Sequence, residues 1–226
     1  MNEMFDSDTD KKNIGLAKNL IHLRQTLDVY GLTRANWVAI RKGGLANNFF
    51  DFLATSCVVL ITLDLCKIYE HEKRDKQKRA QYELNSIEGV LESLAAQNPA
   101  VLDTSRIDGF VQKYGDGRAG DCTLQALQRT VKDFIAKYRE ELESFKAFRN
   151  KWAAHSEFEF IPEDLPSYDV MEQLFDFGRD FYVLVSESFI SVGPHNVNGD
   201  TGVKAGLARL LKGIGVKEVK REWCES

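Results

Sequence analysis

The stretch DCTLQALQRTVKDFIAKYREELESFKAFRNKWAAH, Asp121 to His155, decides the fold. Its apolar residues Leu124, Leu127, Val131, Ile135, Tyr138, Leu142, Phe145, Phe148 and Trp152 follow one another at gaps of three and four. At 3.6 residues per turn these gaps fall on a single stripe. The spacing therefore predicts one amphipathic helix from an Asp121 or Thr123 cap to His155, burying one face and wetting the other.

The end of that helix, Arg149-Asn150-Lys151-Trp152-Ala153-Ala154-His155, is where chemistry concentrates. Arg149 and His155 stand three positions either side of Trp152, each about 60° off the stripe and on opposite flanks, with about 9 Å of rise between them. A fixed cation and a group that titrates near neutrality are what metal-free phosphoryl transfer on RNA requires. Within one straight helix the two side chains converge only through the reach of Arg149, an unwound helix end, or a second copy of the site. A symmetric dimer supplies that copy. Asn150 has an amide to orient a phosphate or the imidazole, and Lys151 adds a second cation. A plainer reading stands beside this one: Arg149 pairs with Glu143 or Glu157, and His155 is a boundary histidine at a helix terminus. Spacing alone does not separate the two.

Helical spacing extends outward through most of the chain. A first helix is expected after Asp8 or Thr9 as cap, carrying Ile14, Leu16, Leu20, Leu23 and Leu27 and ending near Gly31. Thr33 is expected to cap a short segment with Trp37 and Ile40, closed by Gly43-Gly44. An apolar helix follows from about Leu45 past Tyr69 into the charged run at 71–79. A further one, Tyr82 to Ala96, is ended by Asn98-Pro99, and Arg106 to Tyr114 has room for two or three turns. After a proline-interrupted stretch at 156–166, in which Phe158-Glu159-Phe160 alternates like a short extended segment, Tyr168 to Ile190 is strongly amphipathic. A short helix around Leu207, Leu210 and Leu211 precedes a tail that resists reading. No repeat and no series of strands is visible. The expectation is an all-α protein: a four-helix bundle in residues 1–190 with additional short helices, and a C-terminal extension of loop, short helix and tail in 191–226.

Composition narrows the classes. The chain has 226 residues, 43% hydrophobic and 28% charged, which supports a sizeable core and argues against disorder. A net charge of −4 argues against a globally basic nucleic-acid binder, so any RNA contact must be local. Cys57, Cys66, Cys122 and Cys224 show neither CxxC nor paired histidine spacing, which points to reduced thiols in the cytoplasm rather than zinc or disulfides. The acidic N-terminus lacks an apolar core and does not read as a signal peptide. In the apolar run Phe49 to Tyr69, Asp51 and Asp64 interrupt too often for a membrane span, so a buried helix is expected.

Other motifs carry less. The cationic run Lys73-Arg74-Asp75-Lys76-Gln77-Lys78-Arg79 reads as a solvated helix end before it reads as an RNA track. Gly115-Asp116-Gly117-Arg118-Ala119-Gly120 fits GxGxxG and precedes a helix, yet no strand leads into it, so a loop is favoured over a dinucleotide site. His22, His71 and His195 have no carboxylate or thiol neighbour at ligand spacing, and no metal or cofactor is expected.

The string FRNKWAAHSE resembles the signature of HEPN domains, and more closely that of the AbiU2-like HEPN group, Arg-Asp-Lys, two variable residues, Ala-His. Arg149, Lys151, Ala154 and His155 match, with Asn150 where Asp is frequent. The resemblance implies an all-α bundle, usually dimeric, and in many members a metal-independent endoribonuclease of toxin–antitoxin, phage-abortive or RNA-processing systems. It implies Arg149 and His155 as the catalytic pair and Asn150 as the supporting polar residue. Glu157 stands where some HEPN toxins carry a modified Tyr. The expected partners are an RNA substrate, a second copy of the chain and a cognate antitoxin, with no membrane. The rival expectation is a non-catalytic HEPN-like module that binds a partner, a nucleotide or RNA.

Overall fold

The computed structural model describes residues 8–44, 47–70, 85–115, 123–155, 165–190, 196–197 and 202–220, and for 152–155 the backbone alone. Every regular element among these residues is helical. In chain order they are α1 (Asp8–Ala35), α2 (Trp37–Gly43), α3 (Asn47–Ile68), α4 (Ile87–Gln97), α5 (Thr104–Tyr114), α6 (Leu124–Lys137), α7 (Arg139–His155), α8 (Tyr168–Val185) and α9 (Val203–Gly213). A five-residue π-turn, Ser186–Ile190, continues α8. The chain is all-α, as the periodicity of its apolar residues predicts.

α1 is the central strut, lying against α3, α8, α9 and α4, while α3 also meets α7 and α8. Leu16, Leu20, Leu23 and Leu27 recur at helical spacing on α1 and are fully buried, and they meet Ile61 and Leu65 of α3 and Leu174 and Phe181 of α8 in one core. α5 and α6 close the other side through aromatics: Phe134 stacks on Phe177 with ring planes 7° apart, and Phe110 and Tyr114 pack around the pair. Burying aromatic side chains of this size is a dominant stabilising term. A smaller cluster joins Leu32, Ile40 and Phe50 to Leu211 and Val216. There the Asn36 side chain both donates to and accepts from the backbone of Lys220, at 2.9 Å each way.

Several expectations need correction. Asp121 to His155 is not one helix, because α6 ends and α7 begins on either side of Tyr138. Helical hydrogen bonds still run into and out of that residue, so the break is a kink. The Tyr138 ring packs on Phe134 while its hydroxyl reaches Gln173 of α8, and holding both contacts tilts the backbone out of register. Thr33 caps nothing; it lies buried inside α1, which runs four residues past Gly31, and Asn36 begins the next helix. α3 stops at Ile68, and the run at 71–79 lies outside the described residues, as do 116–122 of the glycine-rich loop and Phe158-Glu159-Phe160. Gly115 itself closes α5, and an added Cβ there would come within 2.8 Å of the Val111 carbonyl, so packing explains this glycine.

α4 starts at Ile87, later than the Tyr82 expected, because Ser86 caps it: its hydroxyl accepts from the Gly89 amide at 3.1 Å. Ser86→Ala strands that buried donor, and urea unfolding should show a loss of about 1 kcal/mol.

α3 also departs from the membrane expectation. By length and composition alone it is long and apolar enough to cross a bilayer, two aspartates notwithstanding. Its inward side, however, is built into the bundle through Val58, Ile61, Leu65 and Ile68, and Asp64 is buried there with polar partners.

Candidate functional site

α7 presents the motif at the rim of the bundle. Phe145 and Phe148 are buried, which fixes the helix rotation and leaves Arg149 at the boundary with its side chain 28% exposed, as the stripe predicts. Its Nη1 donates to Glu70 Oε1 at 3.2 Å, and its Nε lies 3.4 Å from the Asn150 side-chain oxygen. Three of the five guanidinium N–H groups thus have no partner among the described residues. Of the two partners that the plainer reading gave Arg149, Glu143 bonds Lys146, and Glu157 lies outside the described residues.

Glu70 is the residue that sequence reasoning missed. It follows Tyr69, a buried residue whose hydroxyl donates to the Leu174 carbonyl of α8 at 2.5 Å. Burial pushes the Tyr69 phenol well above its ordinary range, so it remains a neutral donor. That hydrogen bond pins the end of α3 and delivers Glu70 to Arg149. Nothing in the sequence marks a pairing across 79 positions; only the α3–α7 packing creates it.

Asn150 and Lys151 continue α7 with exposed side chains. His155 is the last residue of α7, and its side chain lies outside the described residues together with those of Trp152, Ala153 and Ala154. The structure therefore brings Arg149, Asn150 and Glu70 together. Close behind Arg149, on α3, is Cys66. Its thiol and that of Cys57 are buried and unpaired, and burial pushes each up to about 11, so neither is a nucleophile.

A second departure concerns His22. It does have a carboxylate neighbour: its Nδ1 bonds the buried Asp64, 42 positions away on α3. The other oxygen of Asp64 accepts from Lys67 at 3.1 Å. No group of three metal-ligating side chains occurs among the described residues.

Against known families, the AbiU2 model of the HEPN type matches residues 6–197, well over half of the chain. The chain belongs to the AbiU2 HEPN family. No curated protein and no solved structure matches it. For an AbiU2 HEPN protein the matched span runs from just before α1 to beyond the π-turn that follows α8, so it takes in every helix that frames Arg149.

Proposed function

We propose that this AbiU2 HEPN protein is a metal-independent endoribonuclease of the toxin–antitoxin or phage-defence kind, active in the cytoplasm as a homodimer and restrained by a cognate antitoxin. The observation that carries the reading is Arg149: a guanidinium set by Glu70 and Asn150 on a rigid helix, with three N–H groups to spare among the described residues. Such a group is prepared for the charge that develops on phosphoryl oxygens. Family membership supports the same chemistry.

In this mechanism His155 takes the proton of a ribose 2′-hydroxyl, whose oxygen attacks the adjacent phosphorus. Arg149 stabilises the pentavalent charge, with Asn150 and Lys151 contacting the same phosphate. The bond from phosphorus to the 5′-oxygen breaks, and His155 of the partner subunit protonates that oxygen as it leaves. The products are a 2′,3′-cyclic phosphate and a 5′-hydroxyl. Purified protein incubated with mixed structured and single-stranded RNA in excess chelator should yield those ends. Intact RNA, or cleavage abolished by the chelator, overturns the proposal.

One observation favours a second reading, a HEPN module without catalysis. Glu70 already neutralises the guanidinium, as it would in a purely structural pair. Dimerisation without RNA cleavage, unchanged by Arg149→Ala, would decide for it.

A further inference from the structure

Asp64 is a carboxylate in the most apolar helix of the chain, 2% exposed, surrounded in sequence by the buried Ile61, Leu65 and Ile68. An ionised group in such a place costs several kcal/mol unless it is paired and hydrogen-bonded. Both of its partners are basic side chains that reach the surface: His22, 50% exposed, on Oδ2, and Lys67, 55% exposed, on Oδ1. One buried anion therefore holds an imidazole and an ammonium side by side with their outer edges in water. Apolar packing alone would join α1 to α3 at lower cost. What the aspartate adds is two basic side chains held side by side with exposed outer edges.

The position of this group adds a second line of support. Asp64 and Lys67 lie three apart in the last turns of α3 and Glu70 follows two residues beyond its end, so the three form one ridge at that end of the helix. His22 of α1 joins the ridge at Asp64, and Arg149 of α7 joins it at Glu70. Basic and acidic side chains thus alternate across the end of α3 in the order His22, Asp64, Lys67, Glu70, Arg149. As an imidazolium, His22 donates Nδ1–H to Asp64 and has Nε2–H for an outside oxygen, and Lys67 keeps two ammonium protons. A strand of RNA is a ligand whose phosphates recur at intervals along such a ridge.

We propose that His22 and Lys67, held by Asp64, form a second phosphate contact for the RNA strand, outside the scissile position at Arg149. This rests on the ribonuclease reading and extends it to how the substrate is held. The two residues contact the substrate backbone without taking part in bond cleavage.

The test uses the full-length chain with His155→Ala as an inactive background and a fluorescent single-stranded RNA, titrated by anisotropy over a salt series. In that background His22→Gln/Lys67→Met should bind about ten-fold more weakly, with a salt slope shallower by about 0.7 for each phosphate that the variant no longer neutralises. Both positions are half exposed, so thermal melts should show the variant folded. Asp64→Asn gives the sharper contrast. It removes a negative charge, so long-range electrostatics alone would tighten RNA binding, whereas loss of the clamp weakens it. Should Asp64→Asn fail to fold, the exposed double variant decides. Affinity within about two-fold of the background and an unchanged salt slope overturn the proposal, leaving Asp64 a tether between α1 and α3. In that case cleavage by the parent protein still upholds the ribonuclease reading. If the parent neither cleaves nor binds RNA, both fall together.

Discussion

His155→Ala should lower the rate of RNA cleavage by about 10²–10⁴-fold while leaving RNA affinity and thermal stability near those of the parent. Loss of a proton-transfer group acts on the bond-breaking step, so single-turnover kinetics should show the loss in the cleavage rate with substrate affinity kept. Arg149→Ala should fall by about 10²–10³-fold, the scale of a removed transition-state donor. It also strips Glu70 of its partner, so its effect mixes chemistry with local electrostatics. Arg149→Lys separates the two. It keeps the charge beside Glu70 but loses the planar fork, and its cleavage rate should stay far below the parent's. Parent-like cleavage by both His155→Ala and Arg149→Ala would remove the motif from the chemistry altogether.

The largest effect on stability should come from Arg24, far from the motif in sequence. Its guanidinium grips Glu172 of α8 with both ends, at 2.7 and 2.9 Å, and bonds Asp28 at 2.6 Å, while lying over the Phe175 ring. Lys204 of α9 reaches the same Asp28 at 3.5 Å, so one network ties three helices. Arg24→Met leaves Glu172 charged and partly buried without its partner. A loss of about 3 kcal/mol follows, or roughly 10 °C in Tm for a chain of this size. Replacing Glu172 by Leu as well should recover much of it, because the unpaired carboxylate is then gone.

The pH dependence of this variant carries a sign. Burial pushes the Glu172 carboxyl up, but the hydrogen bond and charge of Arg24 outweigh it and hold the group below its ordinary value of 4.5. A carboxyl depressed in the folded state contributes stability that is full above the unfolded pKa and is lost as pH falls through the folded one. In the parent, then, this group makes the protein weaker below about pH 4.5. Without Arg24, burial becomes the leading influence and raises the group. Its contribution is then lost as pH rises through the carboxylate range, and urea midpoints of parent and variant should diverge between roughly pH 4 and 6. Parallel midpoint curves would show that Arg24 does not set the state of Glu172.

Legibility in the sequence differed by element. The rotation of α7 was readable because Phe145 and Phe148 repeat at helical spacing, and that placed Arg149 at the boundary where it lies. The kink at Tyr138 was not, since its cause is a contact with Gln173 on another helix. Helix ends were readable where a cap is local, as at Thr123 and Asn98, and misread at Thr33, where burial of the side chain overrode its capping tendency.

The chain by itself determined that it would be helical, which faces of its helices would turn inward, and that Arg149 and His155 would share one helix end. Those properties depend on neighbours within a few residues, and the helical period makes them visible. Only the tertiary structure decided that Glu70 meets Arg149 and that Asp64 gathers His22 and Lys67. The pairs Glu70–Arg149 and His22–Asp64 join positions 79 and 42 apart, so their existence depends on how α3 packs between α1 and α7. A carboxylate's partner is chosen by the space around it, and no spacing along the chain encodes that space.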